Sequence, residues 1–362
     1  MERHRRMRAA VIRGDGEICI EERPLPAVGP GELLIKTEVC GVGLDDERRA
    51  GSRSRAGYVM GREATGRVAQ IGSGVDAFEE GDRVFVISRV PCQRCRECRR
   101  GRMSLCVQAR LPVIEPGGFA EYFRVSAETV PYGVWRLPAS LSFEIGTLVE
   151  PIADVVRGAA LASIRPGDIV AVVGLGFVGM AYLQVLKRSP ASRLIGLDYS
   201  AWRRRRARQA GAHVVIDPRL EPARDIVFAT NDGRGADVVV VATPYRTDWD
   251  LAFDLCAKGG HLHLAVPPRD DWRWSVPPGR LFADELRVTA GGPAAPTEIQ
   301  AVLDLLTGAR FDANDLITHR FGLAEIEAAF ELEQAADASL KAVVFPASNH
   351  LASTEVLYDA VI

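Results

Sequence analysis

The sequence predicts an α/β-plus-β protein, with a β-rich part followed by a doubly wound parallel sheet. Three observations carry this. Residues 7–40 and 58–90 alternate short β-like runs (AAVIR, EICIEE, ELLIKTEV, GRVAQIGSGV, DRVFVIS) with Pro/Gly turns such as PLPAVGPG. From residue 165 the rhythm changes to strand, glycine turn and helix, repeated. The length, 362 residues, exceeds one ordinary core at roughly 150 residues per domain.

Element by element, the β runs are interrupted by a cysteine-rich excursion and resume in GGFAEYFRVSAETV. RPGDIVAVVGLGFVGMAYLQVLKRS reads as strand, turn and helix, and RLIGLD as a strand. AWRRRRARQAGA reads as a helix with Gly211 near its end. HVVIDP, ADVVVVAT and GGHLHLAV are buried strands with helices between them. Two helices (PTEIQAVLDLLTG, LAEIEAAFELEQA), a strand (LKAVVFP) and a tail over residues 347–362 close the chain. The expected domains are 1–156, 157–292 and a return segment, 293–362.

Composition narrows the function. Lys plus Arg is 45 against Asp plus Glu 47, a net charge of −2, so a general nucleic-acid binder is excluded. The longest nearly apolar stretch, Ile169 to Leu183, is too short for a membrane span and is broken by Gly174, Gly176 and Gly179. The basic start, MERHRRMRAAV, has no apolar run behind it and does not read as a signal peptide. A cytoplasmic protein is expected.

Gly174, Gly176 and Gly179 form G-x-G-x-x-G between the strand DIVAVV and a helix that begins with Phe177 and Val178. Glycine permits the tight turn, close approach of a pyrophosphate, and helix–sheet packing, while the helix N-terminus faces the phosphates. Asp198 ends the next strand, nineteen residues after Gly179. A carboxylate there accepts from the ribose hydroxyls and repels a 2′-phosphate, favouring NAD(H) over NADP(H). Arg203 is placed to stack over or steer the adenosine end; the Arg203–Arg206 run also fits a solvated helix face, the favoured reading for Arg204 and Arg205.

Cys92, Cys95, Cys98 and Cys106 stand in C-x2-C-x2-C-x7-C spacing within the lobe at about 91–107. Four thiolates in one short lobe close a tetrahedron around zinc with no open position, which makes the site structural. The isolated Cys40 and Cys256 read as small core residues. His261 and His263 alternate on one strand, share a face, and read as packing residues.

Together these pieces resemble the zinc-containing medium-chain dehydrogenases, such as sorbitol, threonine and glucose dehydrogenases. The likeness runs over about residues 7–346, through GPGELLIKTEVCGVG, GREATGRVAQIGSGVDAFEEGDRV, the cysteine lobe, GGFAEYFRV, LVEP and the glycine turn. It implies a GroES-like β-barrel catalytic domain, a Rossmann domain inserted into it, a small-molecule substrate, and a homodimer or homotetramer.

The resemblance breaks at the family's catalytic zinc. Its Cys ligand falls on Gly43, in CGVGLDD, and its His ligand on Arg62, in GRE. Only the third ligand position keeps a donor, Glu150 in LVEP. Glycine has no donor atom and arginine carries a fixed positive charge. No histidine lies between His4 and His213 to substitute. One structural zinc per chain and no catalytic zinc are therefore expected. The family's Ser/Thr proton relay falls on Asp45, with Asp46 kept beside it and Arg48 where some members have a relaying His. Arg62 is placed to pair with Glu150, Asp45 or Glu63, so these four residues are the candidate substrate-site groups; the same charges also fit an ionic patch that fills space without catalysis.

Without zinc, a carboxylate base of pKa about 4 would make a free alkoxide only at a cost of roughly 16 kcal/mol. Proton and hydride transfer must then be coupled. Reduction of a carbonyl fits, with Arg62 stabilising developing oxyanion charge and Asp45 donating the proton. The expected function is an NAD(H)-dependent oxidoreductase acting on a hydroxyl or carbonyl of a polyol, sugar or cyclitol. A zinc-free ene-reductase and a non-catalytic NAD(H)-binding protein are the alternatives.

Overall fold

The computed structural model describes residues 6–13, 17–43, 57–268, 272–291, 293–335 and 338–348. The chain forms two compact units. One is Met1–Glu150 with Ala295–Ile362; the other is Pro151–Ala294.

The first unit is built on β strands. β1 (Arg6–Ile12) and β2 (Ile18–Pro24) form an antiparallel hairpin. β3 (Leu33–Gly41), β4 (Glu63–Ile71), β5 (Arg83–Val86), β6 (Ile114–Glu115), β7 (Tyr122–Val125) and β8 (Val134–Arg136) follow. The interior is apolar, with Leu33, Ile35, Phe119 and Phe123 fully buried. The cysteine lobe leaves this framework between β5 and β6 with one helical turn, Arg96–Arg99.

α1 (Val149–Ala162) leads into the second unit. Here β9 (Ile169–Val173), β10 (Arg193–Leu197), β11 (Val214–Ile216), β12 (Ala236–Val241), β13 (Cys256–Leu264) and β14 (Arg287–Ala290) alternate with α2 (Phe177–Leu186), α3 (Ala201–Ala210), α4 (Ala223–Thr230) and α5 (Arg246–Leu255). The sheet order is β11-β10-β9-β12-β13-β14, and all neighbouring strands in it pair in parallel. Every residue of β9 is buried, as a parallel strand covered on both faces requires. The order reverses between β9 and β12, which puts a crevice at the carboxyl end of β9, immediately before the glycine turn. Gly211, at φ 124°, closes α3 in a conformation that side chains resist.

The chain then returns to the first unit through α6 (Pro296–Thr307), β15 (His319–Gly322), α7 (Ile326–Ala335) and β16 (Ala342–Phe345). β16 lies between β15 and β3, with Val343 opposite Gly41 and Val344 opposite Cys40. That register delivers Lys341 to the end of β3. Phe330 of α7 packs edge-on against Phe119, their ring centroids 5.9 Å apart.

Candidate functional site: a four-cysteine centre, a dinucleotide turn and a charged cluster

Cys92, Cys95, Cys98 and Cys106 converge, with all four Sγ atoms within 4.8 Å of one another. Zinc–sulfur bonds of about 2.3 Å put tetrahedral sulfurs roughly 3.8 Å apart, so the four fit one ion. Local backbone prepares the donors. The amides of Cys95 and Cys98 point at the Sγ atoms of Cys92 and Cys95, at 3.3 and 3.5 Å, and the Cys92 amide points at Cys106 Sγ at 3.4 Å. Backbone N–H groups of Arg94 and Cys95 pull the Cys92 thiol down to about 6, whereas burial and the neighbouring thiols push Cys98 up to about 12. Four sulfurs this close resist becoming thiolates together unless a cation joins them. Among the described residues this is the only such group of potential metal donors. With no position left open, its chemistry is to order the lobe rather than to meet a substrate.

In the second unit the glycine turn has the required shape. Gly174 sits at φ 88°, and a Cβ there would lie 2.9 Å from Ala242 O and Thr243 Cβ. A Cβ on Gly179 would meet Gly174 O at 1.9 Å. Gly176 is the N-cap of α2 and puts no side chain over its first turn, where Phe177 and Val178 are half-buried, and a helix N-terminus of this kind suits an anion. The nearest group to a Cβ on Gly176 is the Arg203 guanidinium, 3.7–3.9 Å away. Arg203 thus lies over the pyrophosphate turn, whereas the sequence suggested the adenosine end. Asp198 is fixed at both oxygens, accepting from Leu175 N and from Ser200 N, each at 2.7 Å. These residues fit a nicotinamide dinucleotide.

The third cluster is in the first unit. Glu150 accepts from Ser88 N at Oε2 (2.8 Å) and from Ser88 Oγ at Oε1 (3.0 Å). Burial of its carboxyl raises its pKa, against the Ser88 bonds and the positive charges of Arg62 and Arg89. Arg62 and Glu150 are therefore electrostatic neighbours. Glu63 goes elsewhere. Its Oε2 lies 2.5 Å from Lys341 Nζ, and Gly41 leaves room for it, since a Cβ on Gly41 would fall 2.3 Å from the same oxygen. Lys341 is 4% exposed. Gly43 follows β3, while Asp45, Asp46 and Arg48 lie outside the described residues. Cys40 packs against Gly61 and Gly118 as a core residue. Ser88, Arg89 and Lys341 have no motif that marks them in the sequence; only the buried strand LKAVVFP draws attention to a lysine.

Comparison with known proteins bears on this arrangement. The alcohol dehydrogenase GroES-like domain matches residues 29–139, and the zinc-binding dehydrogenase domain matches residues 178–308. L-threonine 3-dehydrogenase of Caldanaerobacter subterraneus subsp. tengcongensis is 30% identical over 325 residues, 86% of this chain and 91% of the relative. The chain is a zinc-type medium-chain dehydrogenase. Sorbitol dehydrogenase of Bacillus subtilis is 29% identical over 352 residues, 94% of this dehydrogenase and 97% of that one. A structure from Sinorhizobium meliloti 1021, described as a zinc-binding dehydrogenase bound to NADP, superposes with a TM-score of 0.83 at 27% identity, covering 94% of this chain and 100% of that one. The expected family, fold class and dehydrogenase activity are borne out, as are zinc and a nicotinamide coenzyme. No helix among the described residues of this dehydrogenase is long and apolar enough to cross a membrane.

Proposed function

We propose that this dehydrogenase is an NAD(H)-dependent oxidoreductase acting on a hydroxyl or carbonyl carbon of a polar small molecule, of polyol, sugar or cyclitol type. It keeps one structural zinc per chain and works without a catalytic zinc. The carrying observation is that Arg62 and Arg89 act electrostatically on Glu150, whose two oxygens already accept from Ser88. Gly43 and Arg62 supply no zinc donor in place of the family's Cys and His, so the donor set does not fit a catalytic zinc.

When bound, the nicotinamide supplies or takes the hydride. The chain's own residues do the rest. Gly174, Gly176 and Gly179 would admit the pyrophosphate at the α2 N-terminus, Arg203 would offer it a positive charge, and Asp198 would hold the ribose. Arg62 stabilises charge that grows on the substrate oxygen, and Glu150 holds Arg62 in place. Asp45, assigned from the sequence, moves the proton in step with the hydride. Glu63, proposed from the sequence as a catalytic group, becomes a positioning residue, because its carboxylate is engaged by Lys341. Assembly as a cytoplasmic homodimer or homotetramer rests on the family resemblance.

Elemental analysis with carbonyl-reduction assays tests this reading. One zinc per chain is expected, with Arg62→Ala and Asp45→Asn each abolishing most turnover while NADH binding persists. Two zincs per chain, or activity that survives both substitutions, would overturn it.

A further inference from the structure

α3 carries four consecutive arginines, Arg203–Arg206, just beyond Asp198. Guanidiniums near the ribose end of a dinucleotide site commonly serve a 2′-phosphate. Their placement here is different. Arg204 Nη1 donates to the main-chain oxygen of Asp198 at 2.8 Å and lies 2.9 Å from Asp217 Oδ2. Arg219 uses its N and Nε on Asp217 Oδ1, at 3.1 and 3.2 Å. Its Nη2 reaches Asp217 Oδ2 at 3.2 Å and donates to Tyr199 O at 2.5 Å. One carboxylate, on a residue 3% exposed, thus gathers two arginines. Both arginines also clasp the backbone of the Asp198–Tyr199 segment.

Topology places this knot. Asp217 follows β11, whose Ile216 is in register with Leu197 immediately before Asp198. β11 lies on the side of β10 away from β9 and the glycine turn. Asp217 is therefore one strand beyond Asp198, next to the carboxylate assigned to the ribose. We propose that Asp217 is a coenzyme-specificity residue. By holding Arg204 and Arg219 against the Asp198–Tyr199 segment, it withholds the two guanidiniums that would accept a 2′-phosphate, and so reserves the site for NAD(H). The inference rests on the coenzyme reading of the glycine turn and Asp198, and not on the zinc-free chemistry.

The physical reason is one of charge. Asp198 and Asp217 engage Arg204 and Arg219, so neither of these guanidiniums stands free to offset a 2′-phosphate beside the Asp198 carboxylate. To meet the phosphate, either one would have to give up its bonds to Asp217 and to the Asp198–Tyr199 backbone. Hydrogen bonds from Arg219 hold the Asp217 carboxyl below the usual range, so it stays charged at neutral pH. Asp198 cannot swing aside without giving up the amides of Leu175 and Ser200.

Fluorescence titration of the full-length protein with NADH and with NADPH tests the proposal. The wild type is expected to prefer NADH. Asp217→Asn keeps the shape but releases one negative charge, and should narrow the preference by about tenfold or more, the scale of one charge-assisted hydrogen bond. The triple variant with Arg204→Ala and Arg219→Ala should return the ratio to the wild-type value. An unmoved ratio in a folded Asp217→Asn protein that still binds NADH would overturn the proposal. Should Asp217→Asn not fold, Arg204→Ala with Arg219→Ala decides. Sequestered arginines predict an unchanged preference, and a selective loss of NADPH affinity shows that they already serve the phosphate. A wild type that prefers NADPH also overturns it. Binding of neither coenzyme would instead sink the coenzyme reading itself, and the proposal with it.

Discussion

Each unit of the molecule holds a polar interior cluster, and two of these clusters differ in kind. In the first unit the cluster is ionic: Glu150 answers to Ser88, Arg62 and Arg89, and Glu63 is paired with Lys341, while four thiols crowd the cysteine lobe. In the second unit, apart from the Asp217 knot, the buried Tyr182, His261 and His263 join Thr289 in one neutral chain. Tyr182 Oη meets His263 Nε2 at 3.1 Å, and His263 Nδ1 meets Thr289 Oγ1 at 2.9 Å. His261 Nε2 lies 2.8 Å from the same hydroxyl, and His261 Nδ1 lies 2.9 Å from Ala162 O. The Ala162 carbonyl can only accept, which sets the direction of the chain. Both histidines then carry their proton on Nδ1, Thr289 donates to His261, and Tyr182 donates to His263. Every donor in this chain has one acceptor, so it holds α1, α2, β13 and β14 together without charge. Ion pairs and metal donors tolerate no such self-sufficiency: each needs a partner of opposite sign, and a ligand can be that partner.

The largest consequence concerns the cysteine lobe. Metal binding to small four-ligand sites is worth about 10–16 kcal/mol in zinc-folded peptides. Cys98→Ser, or a strong chelator, should therefore release the zinc and open residues 91–110 to limited proteolysis, while NADH binding by the second unit survives. Loss of NADH binding along with the lobe would break the contrast between the units.

Next is Arg62. Arg62→Ala should lower turnover by about 10²–10³-fold, the usual penalty for losing one stabiliser of an oxyanion. Zinc content and NADH affinity should not change. A comparable loss in the melting transition instead of in kcat would reassign the cluster to structure alone.

The neutral chain should show itself in acid. Burial, and then the proximity of His261, lower His263 from an ordinary 6.5 to about 4, and burial lowers His261 as well. In the unfolded chain these rings take up protons near pH 6.5, whereas the fold keeps them neutral. Stability is therefore complete above pH 6.5 and is lost as pH falls toward 4, by about 3 kcal/mol for His263. Urea unfolding followed from pH 7.5 to 4.5 measures this, and His263→Gln should flatten the slope. An unchanged slope would show that acid acts first on the charged unit.

The smallest effect is expected at Ser88. Ser88→Ala removes one hydrogen bond from Glu150 but leaves the Ser88 amide in place, at a cost of about 1 kcal/mol. It should also displace the acid limb of the pH–rate profile upward, because the hydroxyl helps to keep the carboxyl ionised. A profile that does not move would detach Glu150 from the reaction.

Much of the coenzyme half was legible in the chain. Gly174, Gly176 and Gly179 sit within six residues, and Asp198 ends the next strand, so local spacing was enough to place the turn, the helix and the carboxylate. The same holds for the cysteines, whose intervals alone bring four donors into one lobe. The charged cluster was legible only as a set of substitutions. Gly43, Arg62 and Glu150 stood out because they fall where a resembling family keeps other residues, while Ser88 and Lys341 carried no signal. Their contacts span long loops: Ser88 meets a residue 62 positions away, and Lys341 arrives on a strand that returns from the far end of the chain.

The class of fold, the dinucleotide turn and the four-cysteine centre were thus readable from the chain, because in each case the chemistry and the spacing lie within one or two consecutive elements. Which charge answers which emerged only when the chain folded. A run of arginines reads from the sequence as a solvated face, with Arg203 assigned to the adenosine end. Only the fold shows Arg203 over the pyrophosphate turn and Arg204 knotted to Asp217. Likewise, two histidines on one strand face reveal nothing of their protons until Thr289 and Tyr182 close the chain around them. Coulomb and hydrogen-bond energies depend on distances of a few ångströms, and such distances between residues remote in sequence are set only when the sheets pair and the chain returns.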